Sequence, residues 1–122
     1  MFLLINALIL GLFVSFNLIS GNKPYVISSD SMSPMLNEGD IIFVKKSAFE
    51  NLKIDNIITF RQPNSNITVT HRIVGIDPEA KNVITRGDNL GTPDSEQVNF
   101  SEIVGVYVYK ISTVGNVIKK NS

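Results

Sequence analysis

The chain has no cysteine, no tryptophan and one histidine, His71. Without cysteine it forms neither disulfides nor thiolate zinc sites, and thiol catalysis is excluded. A single histidine excludes the multi-histidine zinc patterns and leaves only a site that combines it with carboxylates; no metal or other cofactor is expected. An excess of charge of one sign is also missing. Eleven Lys and Arg balance eleven Asp and Glu, no long like-charge run occurs, and the electrostatic footprint of a nucleic-acid binder is absent. At 122 residues the chain is long enough for one core and too short for two independent ones.

Apolar residues are abundant, and they are unevenly spread. Met1 to Asn22 carries no charge, and fifteen of the first twenty positions are apolar. About twenty helical residues cross a hydrocarbon core roughly 30 Å thick, so Phe2 to Ile19 is expected to form a transmembrane helix. Asn6, Ser15 and Asn17 interrupt it, and Lys23-Pro24 suits its end. A cleaved secretory signal is the alternative. It calls for a basic start and an A-x-A-like cut site, and the sequence has neither, which favours an uncleaved anchor over residues 1–22.

Past Pro24 the apolar pattern shortens toward a period of two. Asp40–Lys45, Asn56–Arg61, Ile67–Ile76, Asn82–Arg86 and Ile103–Ile111 are rich in β-branched and aromatic residues, and each predicts a strand. Turn formers fill the gaps. The spacing predicts a mainly β fold, an antiparallel coiled sheet or partly open barrel, over 23–122. One helical turn fits between Ser47 and Lys53.

Three polar clusters interrupt the strands. Ser28-Ser-Asp-Ser-Met-Ser-Pro34 holds four serines in six residues. It has the composition of a solvated loop, but a serine beside a base becomes a nucleophile. Thr70-His71-Arg72 offers such a base. Alternation puts His71 on one face with Val69 and Ile73, where it can equally be a satisfied core histidine. Arg86-Gly-Asp88-Asn89 through Asp94 offers two carboxylates, either of which can orient an imidazole or brace a turn.

These blocks together resemble the signal peptidase I family in its archaeal and endoplasmic-reticulum-type branch. Ser29-Asp-Ser31-Met32-Ser-Pro34, four residues and Gly39-Asp40 match the pattern S-x-S-M-x-P…G-D. Ile54-Asp-Asn-Ile-Ile-Thr-Phe-Arg61 is similar to the next block, with Asp55-Asn56 where Gly-Asp is usual. Thr70-His71-Arg72-Ile-Val-Gly75 carries histidine where the bacterial branch has lysine. Gly87-Asp88-Asn89 with Asp94, then Ile103-Val-Gly105, complete the series in family order.

The resemblance implies a membrane-bound serine endopeptidase that removes signal peptides from exported preproteins. Ser31 would be the nucleophile and His71 the general base. Asp94 would be the partner of His71, with Asp88 as the competing partner. The Ser31 N–H and the Ser29 hydroxyl would form the oxyanion hole beside Met32. The resemblance also implies a single-pass protein of the cell membrane or endoplasmic reticulum membrane, with its catalytic domain on the extracytoplasmic side. Its partners would be signal peptides, the lipid bilayer and other signal peptidase or translocon subunits. The alternatives are a membrane-anchored, non-catalytic β module and a self-cleaving repressor-type protease. The latter normally uses a Ser-Lys dyad behind a DNA-binding domain, and His71 and the apolar start argue against it.

Overall fold

The structure, a computed structural model, describes residues 2–112, with the side chains of 2–4 and 17–19 excepted. Residues 113–122 of the expected β domain lie outside the described residues. The chain opens with helix α1 (Phe2–Ile19), with no acidic residue in its first turn and no basic residue in its last. A Ser20 N–H to Phe16 carbonyl bond of 3.0 Å extends the last turn. Gly21, at φ +84°, then turns the chain out of the helix, the left-handed stop that glycine makes without a Cβ clash. Among the described residues no helix is long and apolar enough to cross a membrane. The helix therefore occupies the expected residues, while the expected crossing is not shown.

Seven strands follow, all paired antiparallel in one sheet: β1 (Asn22–Val26), β2 (Ile41–Lys45), β3 (Ile57–Arg61), β4 (Thr68–Asp77), β5 (Asn82–Arg86), β6 (Val98–Asn99) and β7 (Ile103–Ile111). Their order across the sheet is β1-β2-β7-β3-β4-β5-β6, so β7 lies between β2 and β3. Five strands fall where alternation predicts them. β1 and β6 were not expected: β1 holds Pro24 between polar residues, tolerable because only one of its edges is paired, and β6 is two residues long. The turn expected between Ser47 and Lys53 is a short 3-10 helix, Phe49–Asn51.

The sheet buries both faces near its middle, and β3 reads Ile-Ile-Thr-Phe buried without a break. On one side the loop after β1 packs Ile27, Met32 and Leu36 against Ile42, Val44, Ile57 and Val104. On the other, Leu52, Ile58, Phe60, Ile73, Val83 and Val98 form a second cluster. Ile57 and Ile58 thus serve opposite cores, as a period of two requires. The first core holds the serine-rich loop on the sheet and so determines where Ser31 stands.

Candidate active site

The loop between β1 and β2 closes on itself through backbone bonds. Ile27 N–H donates to the Asp40 carbonyl and Gly39 N–H to the Ile27 carbonyl, both at 2.8 Å. Asp40 is fully buried. Its carboxylate accepts the Asn37 N–H at 2.9 Å and lies 3.6 Å from Lys110 Nζ. Met32 and Leu36, buried beneath the loop, fasten it to the core and leave Ser31 at its rim.

Ser31 Oγ is 3.1 Å from His71 Nε2, and His71 Nδ1 is 2.6 Å from Asp94 Oδ2. His71 is buried, facing the same way as Ile73 along β4. Asp94 is held by two bonds from Thr85 of β5: the Thr85 hydroxyl donates to Oδ2 at 2.6 Å, and the Asp94 N–H donates to the Thr85 carbonyl at 2.8 Å. Thr85 is fully buried and faces the Ile73 position in register, which puts it on the His71 side of the sheet.

Asp88, the competing carboxylate, meets Arg72 instead. Arg72 Nε and Nη2 donate to its two oxygens at 2.8 Å each, and Arg72 Nη1 donates to the Asp55 carbonyl at 2.9 Å. The Arg72 hydrogen bonds hold the Asp88 carboxyl below its ordinary value, outweighing the opposing effect of partial burial. The same contact raises the guanidinium. Charge-assisted forks of this kind fix orientation as well as adding energy.

The segment after β5 grips the serine turn from below. Asn89 N–H donates to the Ser31 carbonyl at 2.8 Å, and Asp88 N–H donates to Met32 Sδ at 3.3 Å. A Cβ on Gly87 would lie 2.7 Å from the Ser31 carbonyl oxygen and 3.1 Å from His71 Nε2, so any side chain there would drive serine and imidazole apart. Ser29 Oγ is 3.2 Å from Ser31 Oγ and accepts the Ser31 N–H at 3.4 Å. The two expected oxyanion donors therefore lie side by side at Ser31, the N–H on the Ser29 hydroxyl.

A cleft of about 370 Å³ opens at Ser31 and His71, between Tyr25–Ser29 on one side and Ile67–Thr70 on the other. Gln62 N–H to Ile67 carbonyl and Ile73 N–H to Asn56 carbonyl bonds turn the odd-numbered backbone groups of β4 toward β3. Those of Thr68 and Thr70 then face the other edge, where pairing with β5 begins only at Arg72. The cleft thus has an open strand edge as one wall. With a hydroxyl on an imidazole, the imidazole on a carboxylate and N–H donors nearby, this arrangement can perform acyl transfer.

The sequence profile described as "Signal peptidase, peptidase S26" matches residues 1–95. The chain belongs to this family. It is 31% identical over 103 residues to "Signal peptidase complex catalytic subunit sec11" of Sclerotinia sclerotiorum, a match covering 75% of this chain and 59% of that protein. It is 35% identical over 98 residues to "Signal peptidase I W" of Bacillus subtilis, covering 72% and 51%. A third relative, "Signal peptidase complex catalytic subunit SEC11" of Pyricularia oryzae, is 30% identical over 103 residues, covering 75% and 59%. The chain therefore spans between half and three-fifths of the length of these peptidase S26 relatives.

Within this family member, sequence reasoning singled out Ser29, Ser31, Met32, His71, Asp88 and Asp94, and all six lie in or against one cluster. It missed Thr85 and Arg72, which hold the two carboxylates. Thr85 looks like any strand threonine. Arg72 gave no signal of its partner, because it stands opposite Arg86, two residues before Asp88, only through a bulge between Ile73 and Gly75 that residue counting does not reveal.

Proposed function

We propose that the chain is a serine endopeptidase that removes N-terminal signal peptides from exported preproteins through an acyl-enzyme. The observation that carries this reading is the hydrogen-bonded series Ser31 Oγ, His71 Nε2, His71 Nδ1, Asp94 Oδ2, at 3.1 and 2.6 Å. Ser31 Oγ attacks the scissile carbonyl carbon and passes its proton to His71 Nε2, while Asp94 stabilises the imidazolium. The carbonyl oxygen becomes an oxyanion and receives the Ser31 N–H and the Ser29 hydroxyl. The C–N bond then breaks, and the leaving amine takes the proton from Nε2. Water, deprotonated by the same nitrogen, hydrolyses the ester and returns Ser31 to its hydroxyl form.

The substrate lies extended in the cleft as an added strand, its main chain bonding to the Thr68–Thr70 edge and its alternate small side chains entering toward Met32. Residues 1–22 serve as a single-pass anchor and 23–122 as the peptidase domain, extracytoplasmic, in a cell or endoplasmic reticulum membrane. The absence of charge from α1 and the exposure of Leu8, Leu12 and Phe16 support the anchor. Anchoring to the bilayer that holds the substrate raises the local concentration of enzyme at the cut. Two of the relatives are named as catalytic subunits of a signal peptidase complex, and other signal peptidase or translocon subunits are the macromolecular partners this reading adds.

The test is Ser31→Ala in the full chain, assayed on a preprotein in detergent or vesicles. Cleavage should fall by about 10⁶-fold with the melting temperature unchanged, because the hydroxyl stands on a surface turn. A fully active Ser31→Ala would overturn Ser31 as the nucleophile, whereas an unmodified chain that neither cleaves the preprotein nor reacts with a serine-acylating probe would leave a non-catalytic β module as the better description.

A further inference from the structure

His71 borders two spaces. One is the cleft that holds Ser31 and Met32. The other is a cavity of about 450 Å³ on the Asp94 side of the imidazole, with Phe60 and Val69 beneath and Gln62, Ser95 and Glu96 around its rim. The two open toward opposite faces of the sheet. Met32 belongs to the core that takes Ile57, whereas Phe60 and Val69 belong to the one that takes Ile58 and Ile73. Phe60 is buried and Val69 half-buried, while Gln62, Ser95 and Glu96 are exposed. The cavity thus has an apolar floor and a polar mouth.

A strand added to the Thr68–Thr70 edge extends the sheet, so its side chains point alternately to the two faces. With the residue before the cut turned toward Met32, the second residue before the cut is turned the other way, toward this cavity. The charge waiting there is negative. The Glu96 carboxylate takes part in no hydrogen bond or ion pair among the described residues. A smaller cavity next to it is lined by Arg61 and Glu102 as well as Glu96, so two carboxylates face one guanidinium. The Asp94–His71 pair adds no positive excess even when the imidazole carries the proton, because the Asp94 carboxylate balances it. The mouth of the cavity stays negative throughout the reaction.

We propose that this cavity receives the side chain of the second residue before the cut and that Glu96 selects lysine or arginine there, an inference that rests on the peptidase reading above. Lysine and arginine lay an apolar stem along apolar surface and keep the charged head in water, and the cavity offers both surroundings in that order. The stem lies over Phe60 and Val69, and the head reaches the Glu96 carboxylate at the rim. An acidic side chain at the same position is turned toward Glu96 and repelled. A small one leaves the cavity to water and gains nothing from it. The cleft on the Met32 face and the cavity on the His71 face therefore read neighbouring residues of one substrate by different criteria, size on one side and charge on the other.

The test uses the full chain in detergent and three preproteins that differ only in the second residue before the cut, which is lysine, glutamine or glutamate. The expected kcat/KM is highest for lysine and lowest for glutamate, with about 5- to 10-fold between them, the size expected of exposed charge pairs. Glu96→Gln should bring the lysine-to-glutamate ratio close to one, and Glu96→Lys should invert it. The ratio is taken within each variant, so a loss of folded protein lowers both rates alike and leaves it unchanged. Glu79→Lys makes the same charge change on the exposed turn between β4 and β5 and should keep the ratio of the unmodified chain. Equal rates for the three preproteins overturn the proposal, and so does a ratio that survives Glu96→Lys. A ratio that Glu79→Lys inverts as well marks the overall field of the protein and overturns it too. Failure of the unmodified chain to cleave any of the three overturns the peptidase reading itself.

Discussion

On one face of β4, His71 reaches Ser31 and Asp94; on the other, one residue along, Arg72 holds Asp88 and the Asp55 carbonyl. Both carboxylates come from the same short segment after β5, yet they are bound in different ways. Asp94 takes the imidazole and the Thr85 hydroxyl on a single oxygen, Oδ2. Asp88 gives both oxygens to one guanidinium. A single-point contact suits a group whose partner must gain and lose a proton, and a two-point fork suits a brace. The Arg72 face ties together the Asp55 turn, β4 and the segment under Ser31, while the His71 face is left free for proton transfer.

The sharpest test of this contrast is Asp94→Asn. The amide keeps the shape but frees His71 to adopt the wrong tautomer, a change that costs about 10⁴-fold in kcat in a comparable triad. The melting temperature should move little. A folded but inactive Asp88→Asn beside an active Asp94→Asn would invert the assignment. Thr85→Val comes next. It keeps the volume at a fully buried site and deletes one hydrogen bond to a carboxylate, worth about 1.5–3 kcal/mol. We expect kcat to fall roughly 10–100-fold with KM unchanged, the signature of a group that positions Asp94 rather than binding substrate.

Asp88→Asn should act on stability first. The pair is partly exposed, with side chains 27% and 19% accessible, so solvent screening limits its loss to about 1 kcal/mol. Because the folded carboxyl is held below its ordinary value of 3.8, its contribution is complete above that pH and is lost as the pH falls through the lower folded value. Melting curves of the two proteins should therefore differ by a constant gap above pH 5 and converge in stronger acid. A gap that widened in acid would refute the pairing. The smallest effect is expected from Asp55→Gly. Asp55 adopts φ +81°, where a side chain is strained, but glycine also enlarges the unfolded ensemble. A net gain of a few tenths of a kcal/mol, read from denaturant midpoints, is expected. The Arg72 contact should persist, because it uses the backbone carbonyl.

Asp55 also shows how far the sequence could be read. It stands where the resembling family usually has glycine, a departure that puts a turn there in doubt, yet Asp55 itself adopts the positive φ that glycine takes freely. Strands β2 to β5 and β7 were legible because each is half or wholly buried and their β-branched residues show it. β1 was not, since its edge position tolerates Pro24 and polar neighbours and leaves no alternation to see. Ser31, His71 and the two aspartates stood out as polar breaks in apolar strands. Which aspartate faces the imidazole depends on the β4–β5 register, and a bulge between Ile73 and Gly75 hides that register from residue counting. Thr85 was invisible because its hydroxyl sits on a residue that strands favour anyway.

The grip of the Gly87–Asn89 segment on the serine turn also bears on how the protein is made. Ser31 meets His71 across 40 positions of sequence, Met32 meets Asp88 across 56, and Asp30 meets Asn89 across 59. Contacts this distant in sequence form late, because the intervening loop must close before they stabilise anything. A chain released only as far as β4 holds a serine whose peptide plane nothing clamps and an imidazole with no carboxylate to orient it. On the proposed mechanism, the nascent protein passes its own unfolded segments, and those of its neighbours, with its chemistry still switched off.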